Sequence, residues 1–259
     1  MGEKETFGGE IAKQIPVKEI YQDLFQPTLS TLGKTLQGAT RVALAPISAM
    51  IWGYDKIANY LDVAIPEYFV RRKVTQEQIQ SPDPSIAVPV IEAMRYTYHK
   101  EELRDMFTNL LGASMNTETY QECHPAFVEF IKQLVPDECK MLKYLFTDRR
   151  QPMLKVRMNL NNDNGQIDVL PYFSDIGYRC DCEHPQKFSQ YLDNLSRLGL
   201  VDVYRDRYFK DDRYYQKLRE YPDIKKLLEL ENGSFEESKG FYELSQLGKT
   251  FCKICIEIN

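Results

Sequence analysis

Hydrophobic positions recur every three or four residues along most of the chain, most densely over residues 86–146. There Ile91, Met94 and Tyr98, followed by Leu103, Phe107, Leu110 and Leu111, mark one face of successive amphipathic helices. Asp83-Pro84, His124-Pro125 and His184-Pro185 predict helix starts, each a polar cap followed by a proline where a missing N–H costs nothing. Between residues 8 and 38, Ile11, Ile15, Ile20, Leu24, Leu29, Leu32 and Leu36 keep the helical rhythm. Pro16 and Pro27 divide that stretch into short helices. Residues 42–54 form the most apolar run, yet it falls short of the roughly 20 residues of a membrane-spanning helix, and Pro46 and Gly53 interrupt it. It is expected to be a buried helix. If it leaves the core after a trigger, Ile47, Met50, Ile51 and Trp52 are the residues that would meet a membrane surface or a partner.

Residues 70–84 change to polar composition, with Arg71-Arg72-Lys73 and two later prolines, and read as a linker with a solvated basic face. After residue 146 the rhythm changes kind. Residues 153–160 alternate like a strand and run into the turn Asn161-Asn162-Asp163-Asn164-Gly165. A helix is expected over 167–178 and another over 187–198, where Phe188, Tyr191, Leu192, Leu195 and Leu198 share a face and Gly199 closes the end. A strand over 200–204, a helical insertion over 213–230, a strand at Phe241-Tyr242-Glu243-Leu244 and a last element over 250–256 complete the chain. This order resembles a winged helix. The expected fold is mainly α: an N-terminal and central helical domain (1–80 with its linker, then 81–136) followed by a winged-helix-like α+β domain over 137–259.

Composition narrows the functional classes. The chain has 43% hydrophobic and 27% charged residues, as a globular protein does, and its net charge of −5 supplies no general attraction to nucleic acid or anionic lipid. The polar first ten residues lack a signal-peptide pattern, so the six cysteines are expected to be reduced thiols in a cytoplasm. No GxxxxGK[ST], GxGxxG, HExxH or GxSxG string occurs, and two of the three histidines precede proline as caps. A non-enzymatic protein without a cofactor is the expectation. Zinc could be drawn by Cys180, Cys182 and His184 with Cys252 and Cys255, but each has a simpler structural account, so no metal site is assigned. For a DNA-binding regulator the reading residues would be Lys187, Gln190, Asn194 and Arg197. Asp193, Asp202, Asp206, Asp211 and Asp212 stand nearby and oppose phosphate binding.

Several strings carry a family likeness. Glu92 to Tyr98 (EAMRYTY), Glu102 to Met115 (ELRDMFTNLLGASM) and His124-Pro125-Ala126-Phe127-Val128-Glu129 leading to Pro136-Asp137-Glu138 resemble the Abi-alpha family. Tyr21 to Pro27, Leu44-Ala45-Pro46 and Trp52 to Ile57 resemble its N-terminal half, and the likeness continues more loosely to the C-terminus. The resemblance implies a bacterial, antiphage role in abortive infection, where an infected cell stops growing or dies. It brings no catalytic set. A protein partner or a second copy of the chain is the implied contact, with a membrane surface next and nucleic acid last.

Overall fold

A computed structural model describes residues 54–148, 150–159, 165–228 and 235–256. The helices expected over 8–38, the apolar cluster Ile47, Met50, Ile51 and Trp52, and most of the turn after residue 160 lie outside the described residues. The described chain is mainly helical, with a four-stranded antiparallel sheet in its C-terminal part. It divides into two compact units, residues 54–98 with 111–123 and residues 99–110 with 124–256.

In the first unit, α1 (Tyr54–Arg71) buries Ile57, Leu61, Ile65, Tyr68 and Phe69, and α2 (Pro84–Thr97) buries Ile86, Val90, Ile91 and Met94. These positions repeat at the helical interval, so each helix turns one apolar stripe inward. Asp83 caps α2 as expected: its carboxylate accepts the Ser85 N–H at 2.7 Å, with Pro84 at the first helical position. The Tyr60 ring meets the Tyr98 ring edge-on at 5.6 Å, and the Lys56 ammonium lies 4.8 Å from the Tyr98 centroid. The polar linker is pinned by backbone pairing. Thr117 N–H donates to the Gln78 carbonyl at 2.9 Å and Gln80 N–H to the Met115 carbonyl at 2.8 Å.

The second unit takes residues up to Leu110 of α3 (Glu101–Ser114), then α4 (Ala126–Lys132) and α5 (Pro136–Thr147). Strands β1 (Arg150–Asn159) and β2 (Gln166–Phe173) form a hairpin, followed by the short α6 (Ile176–Arg179), α7 (Phe188–Arg197) and β3 (Val201–Tyr204). Helices α8 (Arg213–Arg219) and α9 (Pro222–Leu228) make the expected insertion before β4 (Phe235–Leu244) and α10 (Gln246–Cys255). The sheet order is β2-β1-β4-β3, and its longest ladder runs from Arg150 opposite Glu243 to Met158 opposite Phe235. Tyr215 and Leu218 of α8 pack on Leu154 of β1, with Phe173 and Phe209 at the edge of the cluster. The buried Tyr215 hydroxyl donates to the Gly240 carbonyl at 3.0 Å and accepts the Phe209 N–H at 2.9 Å, so this ring carries no orphan polar group.

The helix expected over 167–178 is instead a strand over most of its length. Residues 166–173 pair with β1, with Arg157 opposite Asp168 and Val156 opposite Leu170, and helix is confined to Ile176–Arg179. Pro171 disfavours a helix interior but is tolerated on an edge strand, and Val169, Tyr172 and Phe173 favour extended backbone. Gly199 does close α7: its φ of +71° is one that side chains avoid, and the Leu200 N–H reaches back to the Leu195 carbonyl at 3.0 Å. α4 starts one residue later than expected, with Pro125 and not His124 at the cap position, and the His124 ring Nδ1 accepts the Ala126 N–H at 3.0 Å. Among the described residues no helix is long and apolar enough to cross a membrane.

Leu110 is fully buried, as its place on the apolar face of α3 requires. Leu110→Ala is expected to lower unfolding free energy by about 3 kcal/mol through lost burial and the cavity left behind. Denaturant unfolding measures it, and a loss below about 1 kcal/mol would place Leu110 on a surface.

Candidate functional site

Three of the residues singled out in the sequence, Cys182, His184 and Asn194, meet the N-terminus of α5. Pro136 occupies the first helical position, which puts Asp137 and Glu138 in the first turn, where the unpaired N–H groups of a helix favour negative charge. The two carboxylates then diverge. Glu138 reaches back to accept the Val135 N–H at 2.8 Å and takes a second bond from Asn194 Nδ2 at 2.8 Å. Asp137 turns toward the connection between α6 and α7: it accepts the Glu183 N–H at 2.8 Å, the His184 N–H at 2.9 Å and the Tyr191 hydroxyl at 2.9 Å. Both acids are buried, so these bonds replace water that the groups have lost.

Their titration diverges in the same way. Burial raises the Asp137 pKa, but the N–H groups of Glu183 and His184, the Tyr191 hydroxyl and the Lys140 ammonium outweigh it and hold the carboxyl below its usual range. For Glu138 burial wins over the donors from Val135 and Asn194, and the pKa is raised. The Tyr191 hydroxyl is pushed up by burial and by its bond to Asp137.

His184 therefore contributes its backbone N–H to this cluster, and its side chain makes no capping bond to the turn Pro185–Lys187 that follows. Cys180 and Cys182 lie just before that turn, on either side of Asp181, with their sulfurs 3.5 Å apart. Asn194 and Arg197 of α7 are drawn onto the α4–α5 corner. Asn194 Nδ2 also donates to the Gln133 carbonyl at 3.1 Å, and Arg197 Nη2 donates to Gln133 Oε1 at 2.9 Å. Lys187 and Gln190 are exposed at the start of α7. Cys252 and Cys255 are buried on α10, and burial pushes the Cys252 thiol up. Among the described residues no group of three or more His, Cys, Asp or Glu is placed to hold a metal ion. Cys180, Cys182 and His184 are thus near one another in the fold without forming a ligand set.

A feature absent from the sequence reading lies over the sheet. A cleft is lined by Met153, Lys155, Arg157, Tyr172, Arg205 and Ser238, among others. The alternation of Met153, Lys155 and Arg157 along β1 places all three on one face and was the available signal. Lys155 Nζ and Arg157 Nε pair with Asp168 at 2.7 and 3.4 Å, and a hydrogen bond from Lys155, the leading influence, lowers the Asp168 pKa. Arg205 donates to the Tyr172 hydroxyl and lies 5.4 Å from that ring's centroid. The lining is basic but internally bonded.

These elements define a mainly helical protein with a C-terminal antiparallel sheet, whose buried polar cluster ties α5 to α7. The chain belongs to the abortive infection alpha family, whose model matches residues 57–255. No curated protein matches it. A solved structure, of the uncharacterized protein from the hydrocarbon-degrading marine bacterium Alcanivorax borkumensis SK2, is similar at 16% identity and a TM-score of 0.35, covering 53% of this chain and 94% of that one.

Proposed function

We propose that the chain is a non-enzymatic, antiphage effector of abortive infection, acting in the cytoplasm through contact with a protein partner or a second copy of itself. Family membership is the observation that carries this reading. The polar residues of the second unit support contact over chemistry, because Asp137, Glu138, Asn194 and Arg197 are bonded to one another's elements and so serve packing. The winged-helix-like reading of α7, β3 and β4 fits an interaction module better than a DNA reader. Asn194 and Arg197, two of the four residues that would contact bases, are already engaged with Gln133 and Glu138. Membrane-directed growth arrest through Ile47, Met50, Ile51 and Trp52 is the finer part of the proposal.

Expression in bacteria with and without phage challenge tests it, following growth, membrane potential and phage yield. The expected result is normal growth without phage, and arrest with a reduced phage yield after infection. Lysis and phage yield equal to an empty-vector culture would overturn the reading. Arrest with membrane potential intact would remove its membrane part and leave the rest.

A further inference from the structure

We propose that Cys180 and Cys182 form a reversible dithiol–disulfide site that reacts with a low-molecular-weight disulfide of the glutathione class. The turn after α6 brings the two sulfurs to 3.5 Å, so closing a bond of about 2.04 Å requires only a small side-chain movement. Of the six cysteines, Cys123, Cys139, Cys182, Cys252 and Cys255 are buried and Cys180 alone is partly exposed. That asymmetry divides the roles: an incoming disulfide can reach Cys180, while Cys182 waits beneath it. Asp181, between them, has a φ of +55°, and Lys140 Nζ donates to its carbonyl at 2.8 Å, which holds the turn in this shape and sets a positive charge beside it. Burial raises the Cys123 thiol to about 12, whereas the hydrogen bond from Cys182 is the leading influence lowering Cys180.

The reaction balances as thiol–disulfide exchange. The Cys180 thiolate attacks one sulfur of oxidised glutathione, breaking its S–S bond, and one glutathione leaves as the thiolate. The Cys182 thiol, on losing its proton, attacks the Cys180 sulfur of the mixed disulfide and displaces the second glutathione. The protein gives up two electrons and two protons, and oxidised glutathione becomes two reduced molecules.

The test treats the reduced full-length chain with oxidised glutathione and reads intact mass and peptide maps. The native chain is expected to lose two hydrogens, with the bond mapped between Cys180 and Cys182, and to recover them with a dithiol reductant. Cys182→Ser should stall with one glutathionyl group on Cys180, and Cys180→Ser should leave Cys182 unmodified. A native chain that stays reduced, a bond mapped to any other cysteine, or an adduct on Cys182 in Cys180→Ser would overturn the proposal. The native map alone decides the matter if either variant does not fold.

Discussion

Asp137→Ala is expected to destabilise the protein by about 3 kcal/mol, because it strands one buried and two partly buried donors at once and a buried orphan costs about 1 to 3 kcal/mol. The Glu183 and His184 N–H groups and the Tyr191 hydroxyl all end on this carboxylate. Asp137→Asn should be milder, keeping an acceptor oxygen while placing an amide where donors already point. The pH dependence separates charge from shape. The folded pKa of Asp137 lies below its unfolded value of about 3.9, so its stabilisation is fully present above that value and is lost as pH falls through the folded one. Glu138 acts oppositely: its raised folded pKa favours the native state as pH falls, and that contribution fades as pH rises past it. Wild type should therefore exceed Asp137→Asn in melting temperature at neutral pH by a margin that narrows below about pH 4. A margin constant across pH would mean that the carboxylate's charge contributes nothing.

The same cluster marks where sequence reading stops. Helix periodicity through Phe107 and Leu110, the Asp83 cap, the Gly199 closure and the helical insertion were legible because each depends on neighbours a few residues away. The pairing of Asp137 with Glu183, His184 and Tyr191 joins positions some fifty residues apart, and no local spacing encodes it. His184 illustrates the difference: a His-Pro pair reads as a cap, but the fold uses its backbone N–H and not its ring. Strand β2 was misread for a related reason. Its preference for extended structure is modest, and what decides it is the pairing with β1, which the segment's own residues do not encode. The cationic lining over the sheet was half visible, since alternation along β1 groups Met153, Lys155 and Arg157. Tyr172 and Arg205 arrive from other elements.

Gly248→Ala is expected to cost about 4 kcal/mol, although alanine is favoured over glycine inside a helix by about 1 kcal/mol. Gly248 lies in the first turn of α10, and a Cβ built there would stand 2.0 Å from the Leu200 carbonyl oxygen and 2.9 Å from its carbon. The carbonyl cannot retreat freely, because it accepts the Ser245 N–H at 3.0 Å. Ser245 is itself fixed, its hydroxyl accepting the Gly248 N–H at 2.8 Å and donating to the Gly199 carbonyl at 2.5 Å. Overpacking usually costs about 1 to 3 kcal/mol when flexible side chains can yield, and here the obstacle is backbone. Moving α10 instead would disturb the buried Phe251, whose ring meets Phe127 edge-on at 5.4 Å, and the bond from Asn109 Nδ2 to the Cys255 carbonyl at 3.0 Å. Lys249→Ala, one residue on and exposed, is the control and should stay within about 0.5 kcal/mol of wild type. Chemical denaturation of the two variants decides it: a Gly248→Ala protein as stable as the control would mean that α10 does not dock against Leu200 in solution.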